Sequence, residues 1–295
     1  MNAAAASCLT ANETATLGVG IVGLGAAGRG FIPAILAHPG FELVAAADRV
    51  DELTAEMSAQ HRVATYRTLD AMLDDPRVHV VYVATPTELH ADHVERACAS
   101  HRHVLVEKPM AVTLEEAARM VASAQSRGVV LVVGHSHSHD LPIRRMRELI
   151  RGGSLGAVRM VNTWCFTDWM YRPRRPEELE VDRGGGVTFR QGSHQFDILR
   201  LLCGGEARSI RASTFDWDPQ RRSVGAHVAF LDFHGGAAAT AVYNGYGHFS
   251  TMDLTFDVSE WGFAQTRGER PVQRVTAGVS PEAELAAKQA RARHA

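Results

Sequence analysis

Short apolar runs alternate with amphipathic segments along the first half of the chain. Predicted strands are LGVGIVGLG from Leu17, FELVAAAD from Phe41, VHVVYVATP from Val78, HVLVEKP from His103 and VVLVVG from Val129. Helical patterns separate these strands, and one of them starts at Thr113, with Glu116 completing a capping box. Continuous apolar strands that alternate with helices are typical of a parallel sheet buried on both faces. The pattern predicts an α/β, doubly wound parallel domain over residues 17–140.

The hydrophobic pattern changes near residue 155. Five longer segments now alternate polar and apolar positions: GAVRMVNTWCFTDW, ARSIRASTFDWD, VGAHVAFLDFHG, GAAATAVYNGYG and STMDLTFDVSEWG. Such alternation indicates strands covered on one face only. With a helix over about 188–203, it predicts an α+β domain over 141–270 that has an open, mainly antiparallel sheet. A disordered leader is expected over 1–16, and a polar tail or a frayed helix over 271–295.

Composition narrows the class of protein. The 295 residues carry a net charge of −2, which offers no electrostatic footprint for nucleic acid or an anionic membrane. No stretch approaches the ~20 apolar residues of a membrane span. The four cysteines are Cys8, Cys98, Cys165 and Cys203. They form no C-x-x-C pair, which favours free thiols over disulfides. We therefore expect a cytoplasmic protein that has neither a membrane nor a nucleic-acid partner.

A glycine motif lies between the first predicted strand and the helix that follows it. Its residues are Gly23, Leu24, Gly25, Ala26, Ala27 and Gly28. In a dinucleotide fingerprint Gly23 would make the tight turn, Gly25 would let the backbone approach the pyrophosphate, and Gly28 would let the helix pack closely. A glycine-rich turn that binds nothing is the alternative.

Asp48 ends the second predicted strand, about 20 residues after the last glycine, where the fingerprint requires an acidic residue. Its carboxylate can accept hydrogen bonds from the adenosine ribose and would repel a 2′-phosphate. Arg49 can instead stack on adenine or tolerate that phosphate. The sequence favours NAD as the cofactor and leaves NADP open.

The stretch GVVLVVGHSHSHD breaks from a strand into alternating histidines. If the strand continued, His135, His137 and His139 would share one face, because strand side chains alternate. Imidazoles in that place can bind zinc or can line an active-site mouth as polar groups.

Two longer stretches resemble a known family. VATPTELHADHVERACASHRHVLVEKPM is similar to the T-P-x-x-x-H and E-K-P motifs of the glucose–fructose oxidoreductase and inositol dehydrogenase family (Gfo/Idh/MocA), and GGGVTFRQGSHQFDILRLL is similar to its G-x-H-x-x-D helix. The resemblance covers about residues 17–260. It implies an N-terminal Rossmann domain, a second domain with an open sheet, and NAD(P)-dependent oxidation of a secondary alcohol.

Within this family, GHSHSHD and TDWMYRPRRPEEL most resemble the dehydrogenases of phthalate and chlorobenzoate degradation, which convert cis-dihydrodiol carboxylates into catechols. Three alternatives stay open: a sugar or cyclitol dehydrogenase, an inactive NAD(H) sensor, and a zinc hydrolase built on the histidine run. The resemblance also implies further strands beyond the point where this chain becomes rich in Ala and Arg. Homo-oligomerisation through the second sheet is expected if that sheet is complete.

The resemblance assigns roles to individual residues. Cofactor contacts are expected from the glycine motif and from Asp48, Arg49, Thr85, Pro86, His90, Glu107 and Lys108. Lys108 would also take the hydroxyl proton, and His194 would contact the reacting hydroxyl. The histidine run would then bind substrate or the nicotinamide ribose, with His137 as the substrate contact and no metal. As plainer alternatives, Lys108 would pair with Glu107 at the surface, and His194 with Asp197.

Arg190, His194 and Asp197 fall at i, i+4 and i+7 of the predicted helix, on one polar face. Many family members carry aspartate at the position of Arg190, so the arginine argues against the cyclitol and sugar dehydrogenases. Substrate contacts are therefore predicted at His137, Asp197 and four arginines: Arg172, Arg174, Arg175 and Arg190. Guanidinium groups can clamp a substrate carboxylate. The alternative is a solvated arginine loop balanced by Glu177, Glu178 and Glu180.

Overall fold

The computed structural model describes residues 16–247, 250–258, 264 and 279–293. The chain divides into two compact units. The first takes in the chain up to Glu107 together with Ala118–Val132, and the second takes in Lys108–Ala117 and the chain from Val133 onward. Residues 1–15, where the leader was predicted, lie outside the described residues.

The first unit is built on a six-stranded sheet in the order β3-β2-β1-β4-β5-β6. Its strands are β1 Leu17–Val22, β2 Phe41–Ala47, β3 Ala64–Tyr66, β4 Val80–Val83, β5 His103–Val106 and β6 Leu131–Val133. The helices are α1 Ala26–Gly30, α2 Ile32–Ala37, α3 Asp51–His61, α4 Leu69–Leu73, α5 His90–Ala99 and α6 Leu114–Arg127. The pairs among β1 to β5 are parallel. The predicted doubly wound parallel sheet is confirmed.

The core of this unit explains why its strands are continuously apolar. Ile21 is fully buried, and it packs in one cluster with Leu43 of β2 and Tyr82 of β4.

The capping box predicted at the start of α6 is also confirmed. The Thr113 hydroxyl accepts a bond from the Glu116 amide (3.1 Å), and the Glu116 carboxylate accepts one from the Thr113 amide (3.1 Å).

The second unit contains a four-stranded sheet in the order β7-β10-β9-β8. Its strands are β7 Met160–Phe166, β8 Ala207–Phe215, β9 Ala226–Phe233 and β10 Ala238–Asn244. β10 pairs in parallel with β7 and antiparallel with β9, and β9 pairs antiparallel with β8. The sheet is thus mixed and mainly antiparallel, as predicted. Helix α8, Ser193–Cys203, packs through Leu199 on Leu231 and neighbouring side chains of one sheet face.

Two further helices belong to the second unit, α7 Leu141–Arg151 and α9 Pro281–Arg293. α9 lies where a polar tail or a frayed helix was predicted. The strand predicted over STMDLTFDVSEWG is wrong for residues 250–258, which hold a short 3-10 turn, Thr251–Leu254. The Ser250 hydroxyl caps this turn by accepting a bond from the Met252 amide (3.3 Å), and left-handed backbone at Phe256 and Asp257 follows it.

Among the described residues, none of the helices has both the length and the apolar character needed to cross a bilayer. Cys98, Cys165 and Cys203 take part in no disulfide bond within the described part of the chain.

Candidate functional site

The glycine motif forms a tight loop between β1 and α1. Gly23 has a φ of +94°, and a Cβ there would lie 2.7 Å from the carbonyl carbon of Ala84. A Cβ at Gly28 would lie 2.0 Å from the Gly23 carbonyl oxygen, whereas one at Gly25 would meet nothing within 4 Å. Two positions therefore exclude any side chain for packing reasons. The third leaves open space over the backbone, which fits a pyrophosphate group. Ala26 and Ala27 follow as the exposed first residues of α1.

Asp48 lies directly after β2, beside this loop. Its carboxylate accepts hydrogen bonds from the Leu24 amide (2.7 Å) and from the Val50 amide (3.0 Å). These bonds hold a negative charge at the glycine loop, as a ribose-binding carboxylate requires. Arg49 is exposed next to it.

Replacing Asp48 with alanine is expected to raise the affinity for NADP relative to that for NAD by about tenfold. This change corresponds to the loss of one charge repulsion of ~1.4 kcal/mol. The carboxylate would no longer repel a 2′-phosphate, and Arg49 would be free to meet it. Fluorescence titration with both dinucleotides measures the ratio. Asp51→Ala is the matched control, since Asp51 also carries one negative charge nearby but pairs with Arg67. A wild-type preference for NADP would contradict the assignment of Asp48.

Two histidines of α5 bind Thr85, which lies just after the end of β4. The His90 Nε2 lies 2.9 Å from the Thr85 carbonyl oxygen, and the His93 Nδ1 lies 3.1 Å from the Thr85 hydroxyl. His90 is buried, and burial lowers the pKa of His93. Pro86 follows and precedes a short turn, Thr87–Leu89. The sequence predicted Thr85, Pro86 and His90 here, but not His93.

Glu107, another predicted cofactor contact, accepts a hydrogen bond from the Tyr82 hydroxyl (2.7 Å). The pKa of that buried hydroxyl is raised, first by burial and then by the Glu107 carboxylate. Glu107 is thus bonded inside the first unit.

Lys108 and three histidines form a polar cluster within the second unit. The Lys108 ammonium donates a hydrogen bond to the Arg190 carbonyl oxygen (3.0 Å). The His194 ring meets the His137 ring edge-on at 4.1 Å between centroids, and the His135 ring at 6.1 Å. The structure therefore places Lys108 and His194 in one cluster with His137 and His135, two members of the histidine run.

His194 is buried, with 6% of its surface exposed. Burial first, and then the charge of Lys108 and the neighbouring His137 and His135, lower the pKa of His194 to about 2. Its ring is therefore neutral near pH 7. Within the described part of the chain the His194 Nδ1 has no hydrogen-bond partner. A neutral imidazole with an unused nitrogen can exchange a hydrogen bond with a substrate hydroxyl.

The prediction that three histidines share a strand face is wrong. β6 ends at Val133, and Ser136–His139 form a 3-10 turn. Local side-chain bonds favour the turn, because the His137 Nδ1 lies 2.7 Å from the Asp140 carboxylate. The Ser138 hydroxyl donates to the Asp197 carboxylate, so Asp197 fixes the histidine turn, a contact that the sequence analysis missed. Across the residues described, no group of three or more His, Cys, Asp or Glu side chains is arranged to hold a metal ion.

Helix α8 is preceded by a π-helical turn, Thr188–Gly192, which carries Arg190. His194 and Asp197 lie in α8 itself. π turns add a residue to a helix and occur often at functional sites.

The loop arginines have partners within the chain. Arg172 donates to the Asp168 carboxylate (2.6 Å), and the Arg174 guanidinium lies 3.9 Å above the Trp169 ring and donates to its carbonyl oxygen (3.2 and 3.3 Å). The Arg175 Nε lies 3.9 Å from the Glu178 carboxylate. These contacts favour the alternative in which acidic residues balance the loop. The partner of Arg172, however, is Asp168 rather than Glu177 or Glu180.

Helix α9 completes this arginine loop. Glu284 accepts a bond from the Arg174 amide (2.6 Å) and pairs with the half-buried Arg221, while Lys288 pairs with Glu178. Burial opposes ionisation of Glu178, but Lys288 outweighs it and lowers the pKa of Glu178 to about 2. The sequence offered no signal for these pairs, since their members lie far apart along the chain.

Comparison with known proteins agrees with this architecture. Residues 17–135 match the model of an oxidoreductase family with an NAD-binding Rossmann fold, Gfo/Idh/MocA, and residues 143–259 match a C-terminal domain model of the same family. The chain belongs to the Gfo/Idh/MocA family. The predicted family, and with it NAD as the cofactor class, is confirmed.

Among Gfo/Idh/MocA relatives, the 1-carboxy-3-chloro-3,4-dihydroxycyclohexa-1,5-diene dehydrogenase of Comamonas testosteroni is 44% identical over 248 residues, which make up 84% of this chain. The chain spans 62% of the length of that relative.

Solved structures of the family give the same picture. A dehydrogenase from Bordetella bronchiseptica RB50 superposes with a TM-score of 0.88 at 36% identity, covering 94% of this chain and 73% of its own. The WlbA dehydrogenase of Bordetella pertussis, solved with NADH and UDP-GlcNAcA, has a TM-score of 0.71 at 26% identity and covers 80% of this chain and 69% of its own.

Proposed function

We propose that this chain is an NAD-dependent dehydrogenase that oxidises a cis-dihydrodiol carboxylate to a catechol. The main support for this proposal is the cluster of Lys108 and a buried, neutral His194. The first unit also has the glycine loop and the Asp48 carboxylate of a dinucleotide site. The similarity to the Comamonas testosteroni enzyme, which is named for a dihydroxycyclohexadiene carboxylate, supports the substrate class.

The chemistry divides between cofactor and protein. NAD, when bound, supplies the acceptor for the hydride that leaves the alcohol carbon. Lys108 accepts the hydroxyl proton, and the Arg190 carbonyl oxygen holds its amine in place (3.0 Å). His194 hydrogen-bonds the same hydroxyl through its neutral ring. The dienone product becomes aromatic by tautomerisation.

A sugar or cyclitol dehydrogenase of the same family is less well supported. Arg190, four residues before His194, stands where many family members carry aspartate. His194 therefore has no aspartate at that position with which to pair. An arginine suits an acidic substrate better than a neutral polyol.

The direct test is a substrate panel. NAD reduction by the purified chain is followed by NADH absorbance with cis-dihydrodiol carboxylates, cyclitols, sugars and a no-substrate control. We expect turnover of the dihydrodiol acids at kcat/KM at least about tenfold above the polyols, with the catechol identified as product. Turnover of polyols alone would support the sugar dehydrogenase. NAD binding without any turnover would support an inactive sensor.

Replacing Arg190 with Gln is expected to raise the KM for the acid by tenfold or more, the ~1.5–3 kcal/mol of a charge-assisted hydrogen bond. The guanidinium would otherwise bind the substrate carboxylate, and kcat should change less. Steady-state kinetics on the acid and on its uncharged amide measure this.

Arg172→Gln is the matched control, because the Arg172 guanidinium is bonded to Asp168. A comparable rise in KM in this variant would restore the loop arginines as substrate contacts. Equal turnover of acid and amide by the wild-type enzyme would end the carboxylate clamp altogether.

We also propose that the chain forms a homo-oligomer through the outer face of its second sheet, and that it acts in the cytoplasm, where cysteines outside disulfides stay reduced. Trp164, Val228 and Phe230 lie on that face and are 63%, 46% and 47% exposed. Phe230→Asp is expected to convert the oligomer into monomers, as sedimentation velocity would show. Leu155→Asp, which alters an exposed leucine elsewhere, is the control. A monomeric wild-type protein would contradict the proposal.

A further inference from the structure

A buried histidine lies on β9, outside the cluster described above. His227 is 1% exposed, and it shares the covered side of the sheet with Ala229 and Leu231. An imidazole there must have its nitrogens hydrogen-bonded to offset the loss of water. Both are. The His227 Nδ1 lies 3.1 Å from the Thr188 hydroxyl, and its Nε2 lies 2.9 Å from the Gln195 side-chain oxygen.

The partners determine where the His227 proton lies. The Gln195 amide nitrogen donates to the carbonyl oxygens of Val242 (3.1 Å) and Thr163 (3.4 Å), so the amide oxygen faces His227. That oxygen can only accept, and hence the His227 Nε2 carries the proton. The Nδ1 is then an acceptor, and the Thr188 hydroxyl donates to it. Burial, which lowers the pKa of His227 to about 4, keeps this neutral form near pH 7.

These two bonds reach two successive parts of one helix. Thr188 is the first residue of the π turn, and Gln195 lies in the first turn of α8. Between them lie Arg190, whose carbonyl oxygen accepts the Lys108 bond, and His194.

The turn also lies directly against the imidazole. A Cβ at Gly192 would come within 3.0 Å of the His227 Cε1, and the His227 ring stacks on Phe196 at 5.6 Å between centroids. One side chain of the sheet, His227, thus binds the π turn at Thr188 and α8 at Gln195, before and after Arg190 and His194 in the chain.

We propose that His227 is a positioning residue: by binding Thr188 and Gln195 it holds the π turn, and thereby sets the Arg190 carbonyl oxygen against Lys108 and His194 against His137. This inference rests on the proposed dehydrogenase function. His227 does not itself touch the substrate or the cofactor in this scheme. It fixes the place from which Lys108 accepts a proton.

The test compares His227→Phe, which keeps a ring but loses both bonds, with Thr188→Val, which loses only the bond at the π turn. We expect kcat to fall by about tenfold or more in His227→Phe and by about threefold or more in Thr188→Val, while the dissociation constant for NAD stays within about twofold. The acid limb of the kcat–pH profile should move to lower pH in both variants, because loss of the Arg190 carbonyl acceptor destabilises the Lys108 ammonium relative to its neutral amine. His227→Gln, which can still donate to Gln195, should recover part of kcat.

Leu231→Ala separates positioning from stability. It removes packing from the same strand and the same covered face of the sheet, and it should lower Tm about as much as His227→Phe does while leaving the pH profile unmoved. If His227→Phe retains kcat within about twofold of wild type per folded molecule, or if its pH profile stays as unshifted as that of Leu231→Ala, the proposal is overturned.

A second measurement does not depend on turnover. In ¹⁵N-histidine spectra of the wild-type chain we expect a neutral ring at His227 protonated on Nε2, and we expect the His194 ring signals to shift in both Thr188→Val and His227→Phe. Unchanged His194 signals would overturn the positioning role even in an active enzyme. Shifted signals in a chain without turnover would instead leave the positioning intact and refute the dehydrogenase function.

Discussion

Lys108→Ala is expected to lower kcat by about 10²–10⁴-fold, the usual worth of a positioned proton-transfer group, while NAD binding stays nearly unchanged. The variant loses the proton acceptor but leaves the glycine loop and Asp48 intact. Stopped-flow kinetics for the chemical step, together with NAD titration, measure the two effects separately.

Two further variants sharpen the test of Lys108. Lys108→Arg keeps a positive charge and a donor for the Arg190 carbonyl oxygen, but a guanidinium does not give up its proton near neutral pH, so it should be nearly as inactive. Lys288→Ala removes the only other lysine, which pairs with Glu178, and should retain turnover. An active Lys108→Arg enzyme would assign Lys108 a purely electrostatic role, and near-normal turnover of Lys108→Ala would remove it from the mechanism.

The free energy of unfolding is expected to fall steeply as the pH drops below about 6.5. The pKa values of His194 and His227 lie at about 2 and about 4 in the folded chain, against an ordinary value of 6.5. Between these limits the unfolded chain binds protons that the folded chain does not. Their contribution is thus complete above pH 6.5 and is lost as the pH falls, by about 1 kcal/mol per pH unit for each histidine.

Urea denaturation at stepped pH values measures this loss. From pH 6.5 to 4.5 the histidines should dominate, because Glu178, whose pKa is lowered from 4.5, adds its own loss only below that range. His227→Gln should reduce the slope by one proton, whereas His234→Gln, which alters an exposed histidine, should leave it unchanged. A flat stability curve over this range would show that the two rings are protonated, or solvated, in the folded chain.

The predictable parts of the molecule depend on neighbours in sequence. The apolar runs of β1, β2 and β4, the glycine loop and the Thr113–Glu116 capping box follow from periodicity and from residues a few positions apart. Asp48 was predictable because a βαβ unit fixes its distance from the loop.

The unpredicted parts depend on partners that the sequence pattern does not reveal. The alternation of His135 to His139 suggested a strand, but bonds to Asp140 and Asp197 form a turn there. The π turn looks like ordinary helix in sequence, and its contact with His227 involves a strand that lies 39 positions from Thr188. The arginine loop looked like a substrate clamp because Glu284 is 110 positions from Arg174.

That separation has a consequence for biosynthesis. Glu178 is buried and the Arg221 side chain is only 9% exposed, and burial of a charge without its partner is strongly unfavourable. During translation both emerge from the ribosome well before Glu284 and Lys288. The nascent second unit therefore cannot close its arginine loop until α9 has been made, so a helix that leaves the ribosome later completes the folding of a segment made well before it.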